Sequence, residues 1–279
     1  MTNTSIIDFV VVGPQRTGTS WLYNMIQQHP HIYMPESVKE TMFFDRYYDR
    51  GLDWYREYFH QAGLHQICGE VAPTYFDVPE APDRIHEVSP YCEVFVTLRN
   101  PVERARSLYL HHLKKGRVSE SFWDAVKQKP RIIEAGHYAN HIPRWHSTFG
   151  SDQIKILFLS DIQQKPEKVL KVIQNVLGVD HMDPPERMNE SVNSTTMPRS
   201  LSLAQAGAVL AAKLHKYRLH RVVNAAKRIG LKSLLYSGGG DEAPDLAAST
   251  RRKLFERYQS DIAFVEEETG RDLSTWRAQ

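Results

Sequence analysis

The stretch FVVVGPQRTGTSWLY, residues 9–23, decides the fold of this chain. Its first four residues are apolar and mostly β-branched, which predicts a buried strand. A short loop bounded by Gly13 and Gly18 follows, and an amphipathic helix begins directly after it. Such a loop directs main-chain N–H groups and the positive end of the helix dipole at one point. We therefore expect the loop to bind a phosphate or sulfate group.

The loop has the two-glycine spacing of a Walker A motif but differs from that motif in its cation. Thr19 occupies the position at which a Walker A loop has lysine. The strong cation of this loop is Arg16, which lies two residues before the second glycine. The sequence therefore predicts an anion site that differs from that of an ordinary ATPase or kinase.

Composition limits the classes of protein that fit. The chain has 279 residues, of which 41% are hydrophobic and 24% are charged, as in folded globular proteins. The net charge of +2 gives no indication of a nucleic-acid partner. Cys68 and Cys92 lie in strand-like runs and are expected to be reduced core residues. The sequence shows no secretion signal, membrane-spanning run or metal motif, so we expect a cytoplasmic protein that needs no metal.

Strand-like runs alternate with helical patterns over the first two thirds of the chain. The predicted strands are Asp8–Val12, His31–Met34, Gln66–Val71, Glu93–Leu98 and Lys155–Leu159. The predicted helices are Ser20–Gln28, Leu52–Phe59, Ala81–Val88, Val102–Lys115, Phe122–Lys127, His137–Phe149 and Pro166–Leu177. This alternation predicts an α/β fold of the P-loop type, with three layers and a mostly parallel central sheet.

We expect a single domain over residues 1–279. Its P-loop-like core covers about residues 6–180, and a helical C-terminal part covers about residues 198–279, ending in a helix from about 247 to 268. In such folds ligands bind beyond the carboxyl ends of the strands, which is where the first loop lies.

A second informative stretch is VTLRNPVERARSLY, residues 96–109. Here too a strand ends, and Pro101 stands at the first position of a helix. Arg99 lies at the end of the strand, and Ser107 follows eight residues later. An arginine and a hydroxyl at this junction can hold a second phosphate group. Alternatively, Arg99 pairs with a neighbouring acid, but together with the first loop the pattern favours a ligand with two anionic groups.

The two stretches resemble the cofactor motifs of sulfotransferases that use 3′-phosphoadenosine 5′-phosphosulfate (PAPS). In that family the first loop holds the 5′-phosphosulfate, and an arginine and a serine of the second motif hold the 3′-phosphate. The residues that the resemblance assigns to the 5′ site are Gln15, Arg16, Thr17, Gly18, Thr19 and Ser20. It assigns Arg99 and Ser107 to the 3′ site.

Four further segments are similar to sulfotransferase domains that act on heparan sulfate and to their bacterial relatives. They are KETMFFD (residues 39–45), EVAPTYF (70–76), GHYANHIPRW (136–145) and NESVNSTTMPRS (189–200). In the bacterial members an arginine of the last segment returns to the cofactor, and here that residue is Arg199.

Two positions depart from the family pattern. Many glycan-modifying members have lysine where this chain has Arg16, and arginine keeps the charge but has a different geometry. Members that act on heparan sulfate have a lysine near the acceptor where this chain has Val71. The second departure argues against a polyanionic glycan as acceptor.

The resemblance also implies a mechanism. Glu40 is the candidate general base, and Arg16 with the main-chain N–H groups near Gly18 would stabilise charge on the leaving phosphate. For Glu40 the alternative is an ion pair or a surface carboxylate. His141 is a second candidate, for acceptor contact or proton transfer, and the alternative for it is a packed, hydrogen-bonded histidine.

The leading hypothesis is therefore sulfuryl transfer to a hydroxyl or amine, on a small molecule or glycan acceptor such as a sugar or glycolipid. The alternatives are a P-loop kinase that uses ATP and magnesium, and a non-catalytic nucleotide-binding module. The acceptor pocket is expected from loops 45–51, 117–135 and 178–198, which carry no recognisable code.

The basic region 213–232 permits two interpretations. It could collect an anionic acceptor or contact an anionic membrane surface, or it could be a solvated helix face, which we favour. The sequence carries no signal for the oligomeric state.

Overall fold

The computed structural model describes residues 5–36, 38–182 and 245–277 of the chain. Arg199 and the basic region 213–232 lie outside the described residues. What the sequence predicts for them therefore stays a prediction.

Five strands form one parallel sheet in the described structure. In chain order they are β1 (Phe9–Val12), β2 (Ile32–Tyr33), β3 (Ile67–Val71), β4 (Glu93–Leu98) and β5 (Ile154–Phe158). Their order across the sheet is β2-β3-β1-β4-β5. Every residue of the central strand β1 is buried, as expected for a parallel sheet between two layers of helices. The predicted α/β fold is confirmed.

The helices occupy the segments between and after the strands. They are α1 (Thr19–Ile26), α2 (Leu52–Arg56), α3 (Ala81–Val88), α4 (Pro101–Lys114), α5 (Phe122–Gln128), α6 (Arg131–Glu134), α7 (Tyr138–Phe149), α8 (Leu159–Gln164), α9 (Pro166–Leu177) and α10 (Ala248–Thr269). Short π or 3-10 turns cover Phe43–Tyr47, Tyr48–Arg50, Glu57–Phe59 and Ser274–Trp276.

The structure differs from the sequence prediction mainly in short elements. Leu159 was expected to end the last strand, but it begins α8, which follows β5 without a loop. The apolar run of β5 continues into α8. There Leu159 and Ile162 point towards Gly18 of the glycine loop. Helical turns also occupy residues 43–50 and helix α6 lies within residues 117–135, where the sequence predicted acceptor loops.

The strand order brings the two sequence motifs to the same place. From β1 the chain continues to β2 on one side of the sheet, and from β4 it continues to β5 on the other side. Val12 and Val96 are register partners, so β1 and β4 lie side by side near their carboxyl ends. The crevice at such a switch in direction is where ligands bind in open parallel sheets.

A hydrophobic cluster supports this edge of the sheet from one face. It combines side chains of β1 with the inner faces of α1, α8 and α9. Its buried members are Phe9, Val11, Trp21, Leu22, Met25, Ile26, Ile32, Met34, Val71, Phe95, Leu157, Ile162, Val169, Leu170, Ile173 and Leu177. Helix α1 is therefore fixed by packing on the sheet rather than by its own eight residues.

The described residues divide into two compact units. The first contains the sheet and comprises residues 5–104, 135–182 and 255–277, apart from residue 37. The described part of the second comprises residues 105–134 and 245–254. Within the second unit, Arg106 forms an ion pair with Asp245 at 2.9 Å, and Phe122 packs edge-on against Tyr109.

Gly13 meets a steric requirement that a side chain would violate. Its φ is +115°, and an added Cβ would lie 2.4 Å from the Thr97 hydroxyl oxygen and 2.6 Å from the Thr97 main chain. We expect Gly13→Ala to lower the free energy of unfolding by roughly 3 kcal/mol, because overpacking adds to the cost of a positive φ. Denaturant unfolding measures this change.

Gly150→Ala is the matched control for that prediction. Gly150 also has a positive φ, +73°, but no atom lies within 4 Å of its added Cβ. We expect a loss of about 1 kcal/mol there, from the backbone conformation alone. Equal losses at the two positions would show that the close approach of Thr97 does not matter.

Candidate active site

The glycine loop holds its shape through backbone conformations that few residues adopt. Gly13, Arg16 and Gly18 all have positive φ, and Arg16 does so at +80° without being glycine. Strain of this kind persists only where the surroundings enforce it, and it concentrates at functional sites. The loop ends at α1, whose first N–H groups have no partner within the helix. The loop and the helix start therefore form a ready site for an anion.

The Thr17 side chain anchors the loop to the neighbouring strand. Its buried hydroxyl donates to the Pro14 carbonyl at 2.7 Å and lies 2.6 Å from the Thr97 hydroxyl of β4. Because the Thr17 hydroxyl makes these two contacts within the protein, the predicted contact of Thr17 with a ligand would be made by its main-chain N–H. Gln15, Gly18 and Ser20 are half-buried in or beside the same loop.

Three cationic side chains lie in or next to the loop, those of Arg16, Arg99 and Lys39. The Arg99 guanidinium donates to the Arg16 carbonyl at 3.4 Å, which brings the second motif onto the first. Lys39 donates from Nζ to the Ser20 hydroxyl at 3.0 Å. Burial lowers the pKa of Arg16, and the positive charge of Arg99 lowers it further. The mutual repulsion of these groups would be relieved by a bound anion.

Lys39 also connects the loop to the predicted base. Its Nζ lies 3.5 Å from Glu40 Oε1, and both side chains are largely shielded from solvent. Burial lowers the pKa of the Lys39 ammonium, the carboxylate of Glu40 opposes this effect, and Arg16 adds to it. Glu40 therefore does form an ion pair, but with a lysine that itself contacts the loop.

The second motif is fixed by its own cap. The Asn100 side chain accepts from the N–H of Val102 at 2.9 Å, and so begins helix α4 just before Pro101. The Tyr138 hydroxyl donates to the Arg99 carbonyl at 2.6 Å. Arg99 also lies 3.9 Å from Glu103, a long contact between partly exposed side chains.

A buried carboxyl group holds the segment that follows Glu40. Glu70, on β3, is fully buried and accepts the Thr41 main-chain N–H at 2.6 Å. The hydroxyls of Tyr55 and Tyr75 donate to it at 3.0 and 3.2 Å. Burial raises the pKa of Glu70 to about 7, although the hydrogen bonds from Thr41, Tyr55 and Tyr75 act in the opposite direction.

His141 lies on α7 and is almost fully buried. Its ring packs edge-on against Phe76 with centroids 5.3 Å apart, and its Nδ1 lies 3.3 Å from an Arg144 guanidinium nitrogen. These contacts describe the packed histidine that was the alternative to a catalytic role. The catalytic assignment of His141 stays a prediction.

The structure thus brings together one group of predicted site residues. The glycine loop, Arg99 and Ser20 are joined through the contacts above, and Glu40 joins them through Lys39. Ser107 lies on α4 in the second unit, and Arg199 lies outside the described residues. Their predicted roles are therefore not tested.

Sequence reasoning missed three contributors. Lys39 precedes the predicted base directly, and a cation at that position was the available signal. Thr97 and Glu70 lie in segments already singled out (96–109 and 70–76), but those segments gave no signal for their contacts, because the partners are 80 and 29 residues away in the chain. Within the described residues, no group of three or more His, Cys, Asp or Glu side chains is arranged to hold a metal ion. In the same residues, no helix has the length and apolar character needed to cross a membrane.

Comparison with known proteins gives a consistent result. A family model described as "Sulfotransferase domain" matches residues 7–204. The human bifunctional heparan sulfate N-deacetylase/N-sulfotransferase 3 is 32% identical over 192 residues, covering 61% of this chain and 22% of that protein. The Drosophila melanogaster bifunctional heparan sulfate N-deacetylase/N-sulfotransferase is 30% identical over 207 residues, covering 63% and 20%. The chain therefore matches about a fifth of the length of these relatives.

Solved structures share the fold. A sulfotransferase from Alicyclobacillus acidocaldarius aligns with a TM-score of 0.69 at 23% identity, over 98% of this chain and 99% of that one. The sulfotransferase domain from the curacin biosynthetic pathway aligns with a TM-score of 0.52 at 13% identity, over 91% and 97%. At these identities the likeness concerns the fold alone.

The raised pKa of Glu70 predicts how stability depends on pH. Between about pH 4.5 and pH 7 the folded protein holds a proton on Glu70 that the unfolded chain releases, so stability falls as pH rises. From pH 5 to pH 8 we expect the wild type to lose about 2–3 kcal/mol relative to Glu70→Gln, which cannot ionise. Urea unfolding at each pH measures the difference. Parallel curves for the two proteins would contradict the assignment.

Proposed function

Because the chain belongs to the sulfotransferase family, we propose that it transfers the sulfuryl group of PAPS to a hydroxyl or amine of a sugar or glycolipid. The observation that carries the proposal is the convergence of Arg16, Arg99 and Lys39 on the loop before α1. A site with this much buried positive charge suits a ligand with more than one anionic group.

The donor fits the residues present. When bound, PAPS supplies an activated sulfuryl group and a phosphate that leaves with the bonding electron pair. The loop N–H groups, Arg16 and Ser20 would hold the 5′-phosphosulfate, and Arg99 would hold the 3′-phosphate. In this arrangement Arg16 and Lys39 stabilise the negative charge that grows on the leaving oxygen. Ser107 and Arg199 are assigned to donor binding from the sequence alone.

Glu40 is the proposed general base. It would take the proton from the acceptor hydroxyl or amine as the new bond to sulfur forms, and the bond from sulfur to the leaving oxygen breaks. The Lys39 ammonium lies 3.5 Å from the Glu40 carboxylate and also contacts Ser20, so it holds the carboxylate beside the loop. His141, the remaining predicted catalytic residue, would contact the acceptor.

The acceptor class is argued from the relatives and from one substitution. The animal relatives are named for N-sulfation of heparan sulfate, which supports a sugar acceptor. Val71, at the position where such members have lysine, is fully buried in the hydrophobic cluster. The chain therefore lacks that cation for a polyanionic glycan, and we propose a sugar or glycolipid of lower charge.

We also propose a cytoplasmic location and a reaction that needs no metal. Cys68 and Cys92 are both free thiols, as expected in a reducing compartment. Thr19 stands where a P-loop kinase has its lysine, and in this chain Arg16 and Lys39 supply positive charge at the loop.

The role of Glu40 is tested by Glu40→Gln, which removes the base but keeps the shape of the side chain. We expect transfer from ³⁵S-labelled PAPS to fall by roughly 100-fold or more. The affinity for 3′-phosphoadenosine 5′-phosphate (PAP), measured by calorimetric titration, should stay within about threefold of wild type, since the loop cations are unchanged. The acceptor probes are an N-deacetylated heparan-type polysaccharide and a neutral glycolipid, with water as the background acceptor.

Glu36→Gln is the matched control, because Glu36 is an exposed glutamate in the same segment. It should transfer sulfate at the wild-type rate. Full activity of Glu40→Gln would reject Glu40 as the base. A wild-type protein that binds PAP but consumes no PAPS with any probe would favour a non-catalytic binding module instead.

A further inference from the structure

We propose that Glu70 is a positioning residue of the reaction, which fixes Glu40 in place through the main chain of Thr41. The inference rests on the proposed role of Glu40 as the base. Glu70 itself is remote from solvent and would not contact donor or acceptor, because it is fully buried.

Glu70 is anchored in the central sheet. It lies on β3, and its register partner is Val10 on the central strand β1. The sheet therefore holds the carboxyl group rigidly with respect to the glycine loop, which begins three residues after Val10. From this position Glu70 Oε1 accepts the Thr41 N–H at 2.6 Å, one residue after the base. The same strand pairing that fixes the donor loop thus extends to the base segment.

The segment that follows Glu40 is held at several points. The Tyr75 hydroxyl donates to Glu70, accepts the Phe43 N–H at 3.0 Å and lies 3.0 Å from the Thr41 hydroxyl. The Tyr55 hydroxyl donates to the second oxygen of Glu70. We call Glu70, Tyr55 and Tyr75 the carboxyl clamp. It holds the main chain on both sides of Met42.

The conformation of Met42 shows that the clamp acts against local preference. Met42 has φ +56° and ψ +27°, in the left-handed region that residues with a side chain rarely adopt. Such a conformation persists only where the surroundings impose it, and it occurs mainly at functional sites. Met42 lies two residues after Glu40 and between the two main-chain N–H groups that the clamp accepts, so the clamp holds this conformation.

The carboxyl group of the clamp provides a hydrogen-bond acceptor that an apolar side chain would lack. A fully buried carboxyl group costs stability, and an apolar side chain of similar volume would fill the same space more favourably. Burial raises the pKa of Glu70 to about 7. In either protonation state one carboxyl oxygen still accepts the Thr41 N–H, so the contact does not depend on ionisation. What Glu70 provides that an apolar residue cannot is this fixed acceptor.

The test compares two substitutions of Glu70 that differ in that acceptor. Glu70→Gln keeps a carbonyl oxygen for Thr41, and we expect kcat within about fivefold of wild type. Glu70→Met removes the acceptor at similar volume, and we expect kcat to fall on the order of 100-fold, because a base displaced by about 1 Å loses its alignment. The Kd for PAP and the KM for the acceptor probe should stay unchanged in both variants, since neither ligand touches Glu70.

A second measurement does not depend on activity. Amide hydrogen exchange, followed by mass spectrometry, should become faster at residues 41–43 in Glu70→Met and stay protected in Glu70→Gln. The control variant is Leu177→Ala, which opens a cavity in the hydrophobic cluster at the end of α9. It should lower stability without accelerating exchange at residues 41–43 and without lowering kcat.

The outcomes separate this inference from the proposed function. If Glu70→Met turns over like wild type while Glu40→Gln is inactive, the positioning role is wrong and the proposed base stands. A parallel loss of kcat and PAP affinity would also overturn it, because it would indicate general damage. If Glu40→Gln is active, Glu40 is not the base and the inference fails with that assignment, whereas sulfuryl transfer by the protein stands. Should Glu70→Met not fold, Tyr75→Phe replaces it, with kcat expected to fall about tenfold at unchanged PAP affinity.

Discussion

The structure depends on holding positive charge in a small volume at the carboxyl ends of β1 and β4. Arg16, Arg99 and Lys39 lie at one loop, although burial and the repulsion between like charges oppose this. Both effects lower the pKa of Arg16 and the pKa of Lys39. Such an arrangement is maintained by the surrounding fold and is completed by an anion. In the same loop Arg16 has a positive φ, and Gly13 lies where a Cβ would overlap Thr97.

The parallel sheet explains how distant segments meet this constraint. Strands β4 and β3 flank β1, so the segments after all three strands reach the same edge. The segment after β4 brings Arg99 to this edge. Strand β3 brings Glu70, which holds the segment that contains the proposed base. The donor loop and the base segment are thus fixed by one set of hydrogen-bonded strands. Rigid placement of this kind is what group transfer requires when positioning and electrostatics carry the catalysis.

Much of this arrangement could be predicted from the sequence, because its strands and its loop have local signals. The runs that became β1 to β5 are apolar and β-branched, and the glycine spacing defines the loop. Helix α8 was not predicted because it continues the apolar run of β5. The contacts of Thr97 and Glu70 could not be predicted, since they depend on strand register and on tyrosines far away in the chain. Lys39 was visible in the sequence, but only the fold shows that it contacts Ser20.

The central claim is that this site binds a nucleotide through two separate anionic groups. The most direct measurement is calorimetric titration of wild type and Arg99→Ala with PAP, with adenosine 5′-phosphosulfate, which lacks the 3′-phosphate, and with ATP and magnesium. We predict that wild type binds PAP roughly 10- to 100-fold more tightly than adenosine 5′-phosphosulfate, and that Arg99→Ala loses this preference, because a charge-assisted hydrogen bond contributes about 1.5–3 kcal/mol. Preference for ATP with magnesium, or equal affinity of both proteins for PAP, would contradict the account.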